Sequence, residues 1–238
     1  MTLGGQVAIV TGAGRGIGRA VAHALVREGA AVALAARTRQ ELAAVAAEIR
    51  QEGGRALAVP TDVTQDTAVE ALVEQTVAEL GRVDLLVTAA GVAAFGPVSG
   101  SKPGDWDAML TVNLRATMVC CRAVLPAMTR QRKGTIVNVA SIAATRAIAG
   151  AAVYSATKAG VVAFSWALAE EVRGDGVRIG VILAGATDTP LWDTIPNAPD
   201  RARMLRPEDV ARAVVLMAAL PLRGTLEEVT LLPAGGIL

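Results

Sequence analysis

Aromatic residues are scarce in this 238-residue chain: two Phe, three Trp and a single Tyr. Cysteine is limited to the adjacent pair Cys120 and Cys121. Such a pair cannot build a disulfide framework, so a reducing compartment, the cytoplasm, is expected. The lone histidine, His23, is too little for a zinc site, which draws on clusters of His and Cys, and no metal is expected. Neither sign of charge dominates, with 23 basic and 22 acidic residues. That excludes the basic excess by which proteins hold nucleic acid or an anionic membrane surface. No uncharged apolar run nears the ~20 residues of a membrane span; Ala213 to Leu222 is about half that. The opening Met1-Thr2-Leu3-Gly4 lacks the basic and apolar regions of a signal peptide. Disorder is excluded too, because 53% hydrophobic residues at a net charge of +1 bury enough surface to offset ordering entropy.

The apolar character comes from 48 alanines, whose small side chains let helices and strands approach closely. Charge is balanced overall but uneven along the chain. Residues 1–60 carry seven Arg against four Glu, and 61–110 carry eight acidic residues against two basic ones. Short β-branched runs alternate with Ala-rich helical stretches. Strands are expected at 7–10, 31–35, 56–59, 85–88, 135–139, 177–183 and 229–232. Helices are expected at 16–28, 39–52, 66–80 and 153–172, with Gly29, Gly53 and Gly81 as stops. A long helix is expected from an Asp105 cap to about residue 132, bent at Pro126, and another starts with Pro207 in its first turn. Strands that are continuously apolar and alternate with helices imply an α/β fold, a doubly wound parallel sheet covered on both faces. Nothing reads as a linker or repeat, so one domain is expected over 1–238.

The first strand runs directly into Thr11-Gly12-Ala13-Gly14-Arg15-Gly16-Ile17-Gly18. Glycines here permit a tight turn, admit a pyrophosphate close to the backbone, and let the helix pack against the sheet. The helix N-terminus then offers unpaired N–H groups and a partial positive charge to phosphates. A plain turn would also use glycine. Position between strand and helix, at the start of a βαβ series, favours a dinucleotide.

The spacing Gly-x-x-x-Gly-x-Gly resembles that of the short-chain dehydrogenase/reductase family, and the likeness runs from Val7 to Gly236. It implies a Rossmann-type sheet of about seven parallel strands, hydride transfer with NAD(P), and a homotetramer or dimer assembled through the helices bearing Asn113, Tyr154 and Trp166. The second strand ends Ala35-Ala36-Arg37-Thr38 without the carboxylate that meets a ribose 2′-OH. Arg37, with Arg15 in the turn, favours a 2′-phosphate and so NADP(H) over NAD(H). Two surface arginines among 20 are the bland alternative. Asp62-Val63 matches the family's adenine-side position, and an Asp opening a helix is the other reading. Thr88-Ala89-Ala90-Gly91 keeps only the second half of the family's Asn-Asn-Ala-Gly. Ala90 and Gly91 still allow the cofactor close to the backbone. Loss of both Asn is expected to weaken the bracing of the central strands.

Tyr154 and Lys158 stand at i and i+4, on one helix face and about 6 Å apart along its axis. A phenol with a pKa of ~10 is a poor proton shuttle at neutral pH, and a nearby ammonium is expected to lower it. Ser141, at the C-terminal end of the fifth strand, lies where ligands bind in open α/β sheets. Resemblance assigns the roles: Ser141 polarises a substrate carbonyl, Tyr154 exchanges its proton, and Lys158 tunes Tyr154 and holds the nicotinamide ribose. Asn113 positions a water, a kink in its helix being the alternative. Gly185 and Thr189 match positions on the nicotinamide side. Ala184, where the family has Pro, is expected to loosen the backbone. The stretch 187–206 is expected to be a lid, with Trp192 stacking on substrate or anchoring the lid. Val92, Ala94, Phe95, Ala143 and Leu191 suggest an apolar pocket.

A ketone or secondary alcohol of apolar or neutral character is therefore the expected substrate, handled by a carbonyl reductase. Alternatives are a 3-oxoacyl-carrier-protein reductase, with Arg146, Arg201, Arg203 and Arg206 facing an acidic carrier, and an oxidative alcohol or sugar dehydrogenase. A dinucleotide sensor without catalysis would have no need of Tyr154 and Lys158. Cys120 and Cys121 read as buried packing.

Overall fold

The computed structural model describes residues 2–195, 198–221 and 223–238. Pro196 and Asn197 of the expected lid, and Leu222 at the end of the apolar run, lie outside the described residues. The strands are β1 (Val7–Thr11), β2 (Ala31–Ala36), β3 (Ala56–Pro60), β4 (Leu85–Thr88), β5 (Gly134–Val139), β6 (Val177–Ala184) and β7 (Glu228–Leu231). The helices are α1 (Gly16–Arg27), α2 (Arg39–Gln51), α3 (Asp66–Leu80), α4 (Pro103–Met109), α5 (Ala116–Gln131), α6 (Ala152–Val172) and α7 (Pro207–Ala219). All seven strands form one parallel sheet in the order β3-β2-β1-β4-β5-β6-β7. Strand order reverses between β1 and β4, and a crevice opens outside the carboxyl ends of strands at such a switch point.

Residues of β1, β4 and β5 are all buried, which is why these strands read as unbroken apolar runs rather than alternating ones. Successive side chains enter opposite layers. Val10, Leu34, Val137 and Ile182 pack under α1, α2 and α7, while Ile9, Leu86, Ile136 and Ile179 pack under α3, α5 and α6. α1 and α7 pack together, and Ala20, Ala22, Ala211 and Ala213 of these helices are buried in the same core layer, where small side chains suit close packing. β7, one of the two edge strands, is only half covered.

α4 and α5 form one helical run, Pro103–Gln131, joined by a π-turn at Leu110–Arg115. It starts after Lys102, so Asp105 is not its cap but a first-turn acid that suits the helix dipole. Proline fits the first position because its missing N–H would have no partner there anyway. Pro126 lies within α5, and the π-turn interrupts the helix elsewhere, around Asn113. By length and composition this run could cross a membrane, with an 18-residue window of mean hydropathy 1.4. It is instead packed into the fold. Cys120, Cys121, Val124 and Met128 enter the core, and Arg115 and Arg122 pair with Asp66 and Glu70 of α3 at 2.7 Å. Both thiols are buried, and burial alone pushes Cys120 up to about 12.

The central strands are braced despite the missing Asn pair. Thr11, Thr88 and Asn138 stand level across β1, β4 and β5. Thr88 Oγ1 donates to Asn138 Oδ1 at 2.7 Å, and Asn138 Nδ2 donates to Ser165 Oγ of α6 at 2.8 Å. Thr11 Oγ1 accepts from the N–H groups of Ala89 and Ala90 at 3.1 and 3.3 Å. The weakening expected at Thr88-Ala89 is therefore not found: a hydroxyl replaces the amide. Nor is the backbone loosened at Ala184, which is buried and pairs with Leu231, while Gly185 N–H donates to Leu231 O at 2.8 Å.

Candidate active site

At the switch point lies a cavity of about 290 Å³ whose lining includes Gly12, Gly14, Arg15, Gly16, Ile17, Arg37, Asp62, Val63, Ala90, Gly91, Tyr154, Lys158 and Thr189. A larger open groove of about 860 Å³, between α7 and β7, contains none of the expected catalytic or cofactor residues. The chemistry gathers in the smaller one.

One end of the crevice is made of backbone. Gly12 has φ +66°, and a Cβ there would stand 2.9 Å from both Ala89 O and Ala90 N, so only glycine fits without displacing the β4 loop. A Cβ on Gly18 would collide with the Gly12 carbonyl, so Gly18 lets α1 start directly under the turn. Arg15 and Arg37 are exposed on the crevice wall, and neither guanidinium has an ion-pair or hydrogen-bond partner among the described residues. Asp62 Oδ1 accepts from Thr64 N at 3.0 Å and Thr64 Oγ1 at 2.8 Å. The Thr64 backbone bond first, with the Arg37 charge adding to it, lowers the Asp62 carboxyl below its ordinary value. Asp62 thus shapes a turn before α3 and is not that helix's cap, which is Gln65. Glu41, in the first turn of α2, was not anticipated: its Oε2 lies 2.7 Å from where a Gly14 Cβ would be.

The other end is made of side chains. Ser141, just past β5, is buried, and its Oγ accepts from Ala143 N at 3.1 Å, opening a short helical turn. Tyr154 and Lys158 come from the first turns of α6. Lys158 Nζ donates to Val139 O at 3.0 Å and lies 5.9 Å from the Tyr154 ring centroid. Burial brings the Lys158 ammonium down to about 8. The expected lowering of Tyr154 is reversed here. Burial pushes its phenol above the ordinary value, and the Ser141 hydroxyl only partly opposes that. Lys158 is held on the Val139 carbonyl, with its ammonium over the Tyr154 ring.

Asn113 sits in the π-turn, buried, with its side chain bridging two elements. Oδ1 accepts from Val92 N at 2.8 Å, and Nδ2 donates to Val92 O at 2.9 Å and Thr157 Oγ1 at 3.1 Å. A Cβ on Gly91 would stand 3.4 Å from Asn113 Oδ1 and 3.8 Å from Lys158 Nζ. Glycine therefore leaves a polar gap between those two groups.

The substrate side closes with aromatics. Phe95 meets the Tyr154 ring edge-on, centroids 5.5 Å apart, and stacks on Trp192 at 5.9 Å with planes 14° apart. Trp192 belongs to the turn Pro190–Thr194, and its Nε1 donates to Thr187 O at 2.9 Å. Arg201 ties the same segment together, paired with Asp188 at 3.2 Å and with Asp193. Thr189 lies against Gly16, where a Cβ would be 3.2 Å from its methyl. Most expected site residues line the crevice, and four do not. Asn113 and Ser141 stand behind its wall, beside Gly91 and Tyr154 respectively. Gly18 supports the turn from beneath, and Gly185 packs on Leu232 and Pro233 rather than lining the crevice.

The short chain dehydrogenase family matches residues 6–200. An uncharacterized oxidoreductase of Staphylococcus aureus (strain MRSA252) is 35% identical over 96% of this chain and 97% of its own. A crystal structure of a metagenomic short-chain oxidoreductase in complex with NADP shares 37% identity, covering 98% of this chain and 100% of that one, with a TM-score of 0.86. A 7α-hydroxysteroid dehydrogenase complexed with NADH and 7-oxo glycochenodeoxycholic acid shares 27% identity over 99% and 95% of the two chains, with a TM-score of 0.91. Likeness of this extent, on a seven-stranded parallel sheet with its crevice at the switch point, establishes that the protein is an oxidoreductase of the short-chain dehydrogenase/reductase family.

Proposed function

We propose that this protein reduces small, uncharged ketones with NADPH, and oxidises the matching secondary alcohols with NADP⁺. The observation that carries this reading is a single crevice with two guanidiniums, unpaired among the described residues, at one end and Tyr154, backed by Ser141, with Lys158 at the other. The cradle fits a dinucleotide: glycine is required at Gly12, where any Cβ would strike the opposite loop. The turn and the N-terminus of α1 would hold the pyrophosphate. Arg15 and Arg37 would take the 2′-phosphate, Asp62 and Val63 the adenine side, and Ala90 and Gly91 the backbone side. Thr189 would meet the nicotinamide amide, and Lys158 the ribose hydroxyls. When bound, the cofactor supplies the hydride; the chain supplies alignment and protons. Both NADP and NADH are held by relatives of this fold, so the preference rests on this chain's own arginines and on the absence of a carboxylate at the end of β2.

Ser141 donates a hydrogen bond to the substrate oxygen and stabilises its developing charge. Tyr154 gives that oxygen its proton during reduction. A water beside Gly91, near Asn113 Oδ1 and Lys158 Nζ, would replace that proton. Of the arginines that could face an acidic carrier, Arg201 is paired within the lid and Arg203 borders the groove between α7 and β7. This favours a free ketone over a carrier-bound one. We further propose that residues 1–238 work as one domain with 187–206 as lid, in the cytoplasm. Assembly as a tetramer would use the Pro103–Gln131 run and α6, whose Trp166 is 48% exposed.

The test is kcat/KM for NADPH and NADH over a panel of neutral ketones. NADPH should be preferred, and Arg37→Asp should reverse that preference. Equal kcat/KM for the two cofactors would overturn the phosphate argument. A carrier-linked oxoacyl thioester used far better than any ketone would overturn the substrate reading.

A further inference from the structure

Of two Phe, three Trp and one Tyr in the chain, one of each meets at the substrate end of the crevice. In a sequence with so few rings, that gathering concentrates the aromatic surface where a substrate must pass. Phe95 is a fixed wall. Gly96 N–H donates to Gly150 O at 2.8 Å, which clasps the Phe95 loop to the segment leading into α6, and the Phe95 ring then lies against Tyr154. Trp192 is a wall on the lid. It rides on the Pro190–Thr194 turn, held by the Thr187 carbonyl and by Arg201, which ties Asp188 to Asp193. The near-parallel Phe95–Trp192 stack leaves no space for a third ring between them. Arg201 is paired with Asp188 and Asp193, so its charge is not free to hold a carboxylate substrate.

We propose that Phe95 and Trp192 are specificity-determining residues that select carbonyl compounds bearing a planar ring beside the carbonyl carbon. A carbonyl oxygen bonded to Tyr154 brings its substituents beside the ring that Phe95 already packs against. The substituent that best replaces a stacked indole on Phe95 is itself flat and apolar, and Trp192 gives way to it as the lid shifts. Aromatic pairs contribute beyond their buried area, enough to change a rate ratio about two- to tenfold. This inference rests on the ketone-reductase reading, and the experiment separates the two.

The probes are acetophenone and cyclohexyl methyl ketone, which have the same carbon skeleton but differ in ring planarity, each with NADPH. The protein should show a kcat/KM ratio of about fivefold or more in favour of acetophenone. Phe95→Leu should bring the ratio toward one, while Trp192→Leu, which removes the indole that the substrate ring displaces, should raise it, with NADPH binding retained as the check on folding. Equal use of the two ketones by the unaltered protein, or an unchanged ratio in both variants, overturns the proposal. Turnover of neither ketone overturns the reductase reading instead. In that case tryptophan emission decides the aromatic proposal. The part of the emission lost in Trp192→Leu should respond to acetophenone in the presence of NADP⁺, and no response up to millimolar acetophenone overturns the proposal.

Discussion

The two ends of the crevice are built from different materials. At the dinucleotide end the working surface is main chain: the Gly12–Gly18 turn packs against the Ala89–Ala90 backbone, with Thr11 Oγ1 accepting from both N–H groups. At the catalytic end it is side chains brought from β5, α6, the π-turn and the lid. A backbone surface fails by steric intrusion, and a single added carbon is enough. A side-chain surface fails by loss of a proton or a charge while the shape survives. Changes at the first end should therefore alter cofactor affinity, and changes at the second should alter turnover.

The largest effect tests the second half of that contrast. Tyr154→Phe removes one oxygen and leaves the Phe95 contact, so kcat should fall by about 10²–10⁴-fold with the Kd for NADPH nearly unchanged. Stopped-flow turnover and cofactor fluorescence report the two quantities separately. Gly12→Ala tests the first half. Its Cβ would stand 2.9 Å from the β4 loop at a φ of +66°, so NADPH affinity should drop at least tenfold. Titration of the variant with NADPH measures this, and wild-type affinity would show that the cradle is not rigid.

A third test uses the pH. The Lys158 ammonium is buried and titrates at about 8 instead of near 10.5, so the folded protein bears a cost for holding it charged. Between pH 8 and 10 the unfolded chain keeps a proton that the folded chain has released, so stability should rise with pH across that window. Measured as the difference in Tm between the cofactor-free protein and Lys158→Met, the wild type should gain as the pH goes from 8 to 10. The ceiling is on the order of 3 kcal/mol. A difference independent of pH would mean the ammonium is well solvated.

The smallest effect lies between the two ends. Thr88→Val leaves Asn138 Oδ1 without its hydroxyl donor in the buried row, and should cost about 1–3 kcal/mol in urea unfolding with kcat little changed. A loss of turnover without loss of stability would show that the row acts on the chemistry and not on the sheet.

How far the sequence could be read follows the same division. Local signals placed α3 at 66–80 and β4 at 85–88, and the glycine spacing marked a turn whose geometry the fold then made obligatory at Gly12. Tyr154 and Lys158 were legible because helical spacing fixes their common face. What escaped was set by register and by contacts between distant segments. The π-turn at Leu110–Arg115 is a shift in hydrogen bonding, of which the out-of-place Asn113 hinted only at a kink. Thr88, Asn138 and Ser165 connect only once three elements are laid side by side. Glu41 meets Gly14 because α2 starts beside the turn, and Phe95 meets Trp192 because the lid folds back over the β4 loop. The sign of the Tyr154 shift escaped for another reason: spacing shows a neighbouring ammonium but not how deeply both groups are buried.

The central claim is that hydride from NADPH and a proton from Tyr154 reach the same carbonyl. Single-turnover reduction of a neutral ketone with NADPH deuterated at the transferring position of C4 tests it most directly. The account predicts an alcohol carrying deuterium on the carbinol carbon from the unaltered protein, and bound cofactor but essentially no labelled alcohol from Tyr154→Phe over the same interval. Unlabelled alcohol from the unaltered protein, or equal labelling by the variant, would contradict it.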